Sequence, residues 1–460
     1  MNIYLRCLAL AGFTLLAACS SLPEAGKDPE AQLPSRWATA GTSNIKEAET
    51  WWKNFGDPRL DRLIEQSLRR NNDFATATIR VRRAQLQAAQ IDTNLTPSLA
   101  IGASSARTRR FDPAATFDSS GINGSLSFEL DFWGKLASQR AAAHFEARAS
   151  EGDCRAFALS LLGTTTQLYW QLAYLNTLLA LGAADISYAG QTLALTQARY
   201  AAGAISGLNL AQAELNLSSQ EAALTQLVQQ RIETRHALAL LLNHPPGTDV
   251  VEPLELQSAL LPGIDAGIPA DILASRPDLH AAEYRLRATL ANIDYTRAYF
   301  YPSFSLTGSL GTSSTALLNF VQNPVAMLGV GLSLPFIQWN TTQLAIRVSK
   351  TQHEEAVINY RQRLHAALAE VEGSLSARTQ LQAAAEKLGQ AMAQARRAEA
   401  IAQVRFKAGS TDVQLWLDAQ ARLRSVERSV ILNRLNQLNN QASLYRALGL
   451  GAGSELLSCR

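Results

Sequence analysis

The sequence predicts a mainly α-helical chain that also carries strands of a membrane β-barrel and is built from one half repeated twice. Three observations predict it. Two long proline-free stretches are rich in helix formers. Four short segments alternate between apolar and small or polar residues. The same order of features occurs twice, with Asp73 answered by Asp278, Pro97 by Pro302 and Gly203 by Gly409.

The N-terminus comes first because a targeting segment is set apart from the fold. Arg6 is the sole charge before residue 19, and LALAGFTLLAA follows it. About a dozen apolar residues suit the h-region of a secretory signal, whereas a spanning helix needs about 20. The run ends in Leu16-Ala17-Ala18-Cys19. Small residues before a cysteine at that place resemble the lipobox of bacterial lipoproteins. The resemblance implies a signal peptide at 1–18, cleavage before Cys19 and acylation of Cys19. An ordinary signal with an incidental cysteine is the alternative. Ser20 follows the cysteine rather than Asp, which in such lipoproteins is compatible with export to the outer membrane.

The first repeat is expected over 59–243. It opens with a helix over 59–94 that Pro97 stops. Strands follow at about 98–110 and 121–132, joined by the polar loop FDPAATFDSS. Leu99, Ile101 and Ala103 oppose Ser98, Gly102 and Ser104; Leu126, Phe128, Leu130 and Phe132 oppose Ser125, Ser127, Glu129 and Asp131. No proline lies between Ala114 and His244, so Gly134 to Tyr200 reads as one helix, about 100 Å long at about 1.5 Å per residue. A glycine turn at 203–209 and a return helix to about Asn243 complete the half, and HPPG ends it.

The second repeat, 276–450, has the same parts. A helix over 276–300 meets Pro302, and YPSFSLTGSL then alternates strictly. Strands are expected at about 303–312 and 326–335, around the loop TSSTALLNFVQNP. Asn340 to Phe406 is the second long helix, followed by a tip turn at 409–414 and a return helix to about Leu448. QARYAAG (197–203) and QVRFKAG (403–409) mark the two tips.

Strands near ten residues long match a tilted membrane strand. Four cannot close a barrel, and open edges in lipid would leave backbone groups unpaired. Small membrane barrels begin at about eight strands, so several copies must share one barrel. Two copies would give eight strands and three would give twelve. A soluble sheet packed on the helices is the alternative.

Composition excludes other classes. Lys and Arg total 42 against 39 Asp and Glu, a formal charge of +3, which is no footprint for nucleic acid. The six His residues are scattered, with no metal spacing, nucleophile elbow or phosphate loop. No enzyme, cofactor or metal site is therefore expected. Cys154 and Cys459 are free to pair or to stay reduced; spacing alone does not decide.

The residues that carry a family resemblance are TWWKNFGDPRLDRLIEQSLRRNNDF (50–74), LDFWGKLASQRAAA (130–143), 268–303 with its RPD-x-x-AAE run from Arg276 to Glu283, and the two tip blocks. They resemble the TolC-like outer-membrane efflux proteins, in the lipoprotein branch typified by OprM. The resemblance implies a homotrimer, with a 12-stranded barrel continued by a 12-helix periplasmic tunnel. It implies the exit duct of a tripartite pump for small molecules such as drugs or toxic compounds. The partners implied are a periplasmic adaptor, an inner-membrane transporter of RND type and outer-membrane lipid. Residues 19–58, 244–275 and 451–460 would form the lipidated segment, equatorial belt and tail. Export of proteins or metal ions is the alternative duct, and a structural coiled-coil lipoprotein is the remaining one.

The family also implies a gate at the tips. In the other branch a Tyr and an Arg near one turn latch to an Asp near the other. Matching on the glycine turns places these at Phe406, Thr411 and Asn209, all of which depart from the pattern. Closure by apolar packing and neutral hydrogen bonds is expected instead, with Asp412 either forming a ring of three like charges or acting as a turn former. Gly203, Ala204, Gly409 and Ser410 are the expected adaptor contacts, Gly203 and Gly409 also serving as helix caps. Glu129 and Asp131 are expected to face the lumen or to pair with arginines such as Arg107. Trp51 and Trp52 are expected to pack in the belt.

Overall fold

The computed structural model describes residues 34–38, 50–257, 261–264, 269, 274–314, 324–451 and 459. The predicted signal peptide and Cys19 lie outside these residues, as do 315–323, parts of the 244–275 linker and most of the 451–460 tail. The chain follows one path twice. In the first half, α1 (Pro58–Arg70) and α2 (Asn72–Asp92) lead to β1 (Ser98–Phe111), β2 (Ala114–Leu130), α3 (Lys135–Ala201) and α4 (Gly207–Leu241). In the second, α5 (Pro277–Tyr299) leads to β3 (Ser303–Ser314), β4 (Pro324–Ser333), α6 (Trp339–Lys407) and α7 (Val413–Ala447).

The helix expected over 59–94 is two helices. Asn71 is extended, and its side chain accepts from the Phe74 amide at 2.9 Å, so it ends α1 and caps α2. Its own amide nitrogen donates to Leu241 O at 3.1 Å, anchoring the break to the end of α4.

The first hairpin is longer than the sequence predicts. FDPAATFDSS is not a loop: the chain turns at the cis Asp112–Pro113 bond, and β2 begins at Ala114. Cross-strand pairs carry the ladder outward. Arg107 makes two hydrogen bonds to Asp118, of 2.6 and 2.9 Å, and the Ser105 and Ser120 hydroxyls lie 3.0 Å apart. At its other end β2 stops at Leu130. The Asp131 carboxylate accepts from the Leu136 and Ala137 amides at 3.1 and 2.8 Å, which spends it on the start of α3. Glu129 pairs with Lys135. Neither acid meets Arg107, and Asp131 caps α3. β3 runs to Ser314 and β4 over 324–333, which leaves Leu334 beyond the strand.

The sheet is antiparallel in the order β1-β2-β3-β4, leaving β1 and β4 as edges. Register puts one apolar face together: Leu99 opposite Leu126, Ala103 opposite Ile122, Phe128 opposite Leu306, Leu306 opposite Val330 and Phe304 opposite Leu332. Leu328 is 87 % exposed on this face. The other face carries Ser98, Ser125, Ser127, Ser303, Ser305, Thr307 and Ser309. Gly331 opposes Ser305 there because a Cβ would fall 2.6 Å from the serine hydroxyl.

Below the sheet α3 packs against α2, α4, α5 and α7, and α6 against α5 and α7. Among the described helices α3 alone is long and apolar enough to cross a membrane by length and composition. Its Leu159, Leu162, Trp170, Leu172 and Leu175 are buried within the helical body instead.

The core lies where α3 passes residues 51–55 and the end of α7. Trp51 stacks on Tyr445 with ring centres 5.0 Å apart, and Phe55 meets Trp170 edge-on at 4.8 Å. Trp51 and Trp52 are fully buried packing residues, as expected. Gly152 lets α3 touch the start of α5, since a Cβ there would sit 2.8 Å from Pro277 O. Arg276 ties this region together by bonding Asp278 (3.0 and 2.7 Å), Glu370 (2.8 Å) and Ala447 O (3.2 Å). Burial opposes ionisation of Asp278, but the bonds and charge of Arg276 and the first amides of α5 outweigh it and hold the carboxyl below its ordinary value. Cys154 and Cys459 form a disulfide, with Cα atoms 6.1 Å apart.

Candidate functional site

The two helical hairpins end in glycine turns that pack side by side. Gly203 (φ 70°) and Gly409 (φ 74°) are left-handed, a conformation that disfavours any side chain. Behind each, the helix closes in the same way. Ala204 N donates to Arg199 O at 2.9 Å and Ser410 N to Arg405 O at 3.1 Å, satisfying carbonyls that have no partner within the helix. Gly203, Ala204, Gly409 and Ser410 are exposed, with no atom within 4 Å of a Cβ position on either glycine.

Asn209 and Asp412 come together directly. The buried Asn209 amide donates to Asp412 Oδ1, linking the two turns, and the Ser206 hydroxyl donates to Asn209 Oδ1 at 2.6 Å. Phe406 is fully buried with Ala402, Val413, Trp416 and Leu417. Its ring centre lies 5.3 Å from that of Trp416. Thr411 shares the turn, but its buried hydroxyl has no hydrogen-bond partner among the described residues. Among the described residues, the three departing latch positions therefore form no ion pair of the other-branch kind, Asn209 reaching Asp412 as a neutral donor. Packing at Phe406 and a hydrogen bond at Asn209 stand in their place.

Four residues that sequence reasoning did not single out complete the junction. Arg199 donates to the Phe406 and Lys407 carbonyls at 2.6 and 2.7 Å, and its guanidinium lies 4.4 Å from the centre of the Phe406 ring. A cation at these carbonyls meets the negative end of α6 as well as the ring face. Glu399 accepts from Tyr188 at 2.5 Å and from Trp416 Nε1 at 2.8 Å. Burial, and then Glu399, push the Tyr188 hydroxyl up, so it stays a donor. The shared Arg of QARYAAG and QVRFKAG was the available signal for Arg199. Tyr188, Trp416 and Glu399 carry none, because the tyrosine and tryptophan read as ordinary core residues and the acid as a solvated helix face.

Further along the α3–α7 seam, Arg424 of α7 also reaches α4, donating to Asn216 at 3.1 Å. Burial pushes the Asp185 carboxyl up, and Arg424 and Arg428 offset part of that rise. No group of three His, Cys, Asp or Glu residues placed to hold a metal occurs among the described residues. What the tip offers chemically is packing and hydrogen bonding between the two hairpins.

The description of the Outer membrane efflux protein family matches residues 63–244 and again 268–450, the same two halves that repeat in space. Among curated proteins, the pyoverdine export outer membrane protein OpmQ of Pseudomonas aeruginosa is 31% identical over 454 residues, covering 96% of each chain. The probable efflux pump outer membrane protein TtgC of Pseudomonas putida is 29% identical over 473 residues, covering 98% of this chain and 96% of its own. The open-state MtrE outer membrane channel of Neisseria gonorrhoeae superposes with a TM-score of 0.79 at 28% identity, covering 94% of this chain and 99% of that one. With both halves matched and similarity running nearly end to end, the chain belongs to the outer membrane efflux protein family.

Proposed function

We propose that this protein is the outer-membrane exit duct of a tripartite efflux system. The observation that carries the reading is a four-stranded sheet with two unpaired edges, apolar on one face and serine-rich on the other, continued by two helical hairpins of nearly equal length. In the proposed assembly β4 of one copy pairs with β1 of the next, and three copies close a barrel of twelve strands. At that size an aqueous channel remains inside. The helices form the periplasmic tunnel below it.

In this reading Cys19 is lipidated and anchors the chain from the periplasmic side. The exposed turns at Gly203, Ala204, Gly409 and Ser410 receive the periplasmic adaptor, and an inner-membrane transporter of RND type supplies the energy. Asn209, Phe406, Thr411 and Asp412 belong to the gate. The relatives are named for pyoverdine, antibiotic, toluene and solvent efflux. We assign this chain the same broad class of small molecules, with selectivity set upstream.

Conductance in a planar bilayer tests the duct. Discrete openings are the expected result, and a protein that inserts without conducting would overturn the reading. Crosslinking in cells from positions 204 and 410 should capture an adaptor. Labelling with palmitate should be lost in Cys19→Ala.

A further inference from the structure

The junction between the two hairpins of one chain has an unused copy on the outside of the molecule. Under the shift of 206 residues that relates Gly203 to Gly409, Leu195 maps to Ile401, Arg199 to Arg405, Phe406 to Tyr200 and Trp416 to Leu210. The first-named residues are satisfied within the chain. Leu195 packs on the Phe406–Trp416 cluster, and Arg199 caps α6. Of their counterparts, Leu210 is half-buried and the other three are open. Ile401 and Tyr200 are each 47% exposed. Arg405 is exposed, and its guanidinium has no partner among the described residues. The acceptor side also repeats: the Tyr200 ring lies 3.8 Å from the Cβ position of Gly207, as Phe406 clusters with its repeat mate Val413.

We infer that Arg405 of one copy caps the end of α3 in a second copy, donating to the Tyr200 and Ala201 carbonyls and stacking on the Tyr200 ring. Within the chain, α3 meets the return helix of the other half. The repeat requires α6 to meet the return helix of a neighbour, α4, with Ile401 set against Leu210. The occupant is a second copy of this chain, because only that copy presents the surface that Arg405 is built to match. The inference rests on the proposed ring assembly and adds the residues that join one copy to the next at the tip. Arg199 and Arg405 then form one belt of alternating clamps, three within chains and three between them. An opening tip must release both kinds.

The test is a double variant, Ile401→Cys with Leu210→Cys, oxidised mildly in membranes. The expected result is a shift from monomer to covalent dimer and trimer bands on a denaturing gel, absent from either single variant. As a control for folding, native gels should show the variant assembling as the parent does. Assembly without any covalent link between chains would overturn the inference and leave the duct standing. A parent protein that runs as a monomer would overturn both. As an independent measurement, Arg405→Ala should raise conductance while Arg405→Lys restores part of the closed behaviour; parental conductance in Arg405→Ala would overturn the clamp.

Discussion

Arg199 holds more of the tip than any residue the sequence pointed to. Its two hydrogen bonds to carbonyls are charge-assisted, so losing them should cost the closed arrangement of the proposed gate about 1–2 kcal/mol, a shift of about five- to thirtyfold between closed and open forms. Arg199→Ala should therefore give a more conductive channel in planar bilayers at unchanged expression. Equal conductance would show that Phe406 packing suffices by itself. Gly152 makes the opposite kind of prediction. Ala in a helix interior is ordinarily favoured over Gly by about 1 kcal/mol. Here the added methyl would meet Pro277 O, and overpacking costs about 1–3 kcal/mol. Gly152→Ala should lower the thermal midpoint, not raise it. At this scale the sequence was legible where a residue has one job. The tip glycines were read as caps because a left-handed turn leaves few alternatives. Asp131 and Arg199 were not, since their partners depend on which backbone groups the fold leaves bare.

Among the elements, strand existence was clear and strand ends were not. Alternation marked all four strands, but Pro113 and Asp112 read as the middle of a loop when they are the whole turn. The partners that extend the hairpin, Arg107 and Asp118, are eleven positions apart and carry no local signal. The break at Asn71 was hidden for a similar reason, because its capping bond competes with a good helical pattern on both sides. The α3–α7 seam supports a pH prediction. Burial raises Asp185 above its ordinary carboxylate value of 3.8. A carboxyl raised on folding adds stability that is fully present below its unfolded value and is lost as pH rises through the folded one. The seam should therefore tighten on acidification, seen as higher protection of the amides over 420–428, relative to their intrinsic exchange rate at each pH, near pH 4 than near pH 7. Burial also raises Glu427 on the same seam, and Asp185 raises it further, so Asp185→Asn should reduce the difference and Asp185→Asn with Glu427→Gln should remove it. The Arg276–Asp278 pair runs the other way, for its depressed carboxyl gives stability present above the ordinary value and lost as pH falls.

For the whole molecule, the duplication was the strongest signal and set the architecture before any contact was known. The disulfide was not legible, since 305 residues separate its cysteines and only the fold brings them together. A crosslink spanning so much chain restricts the unfolded state strongly, by about 2–4 kcal/mol in typical cases. Cys154→Ser should lower the thermal midpoint, and a reducing agent should do the same to the parent but not to the variant. The serine face of the sheet has a consequence for traffic. From Ser98 and Ser127 up to Ser104 and Ser119 the described side chains on that face carry hydroxyls, an amide or no polar group, and no charge. A passing solute finds neither a strong foothold nor a toll. In the proposed barrel, where this face lines the lumen, dwell time over this stretch should be short for neutral, cationic and anionic cargo alike. The outlet can then stay unchanged while the machinery behind it takes on new freight.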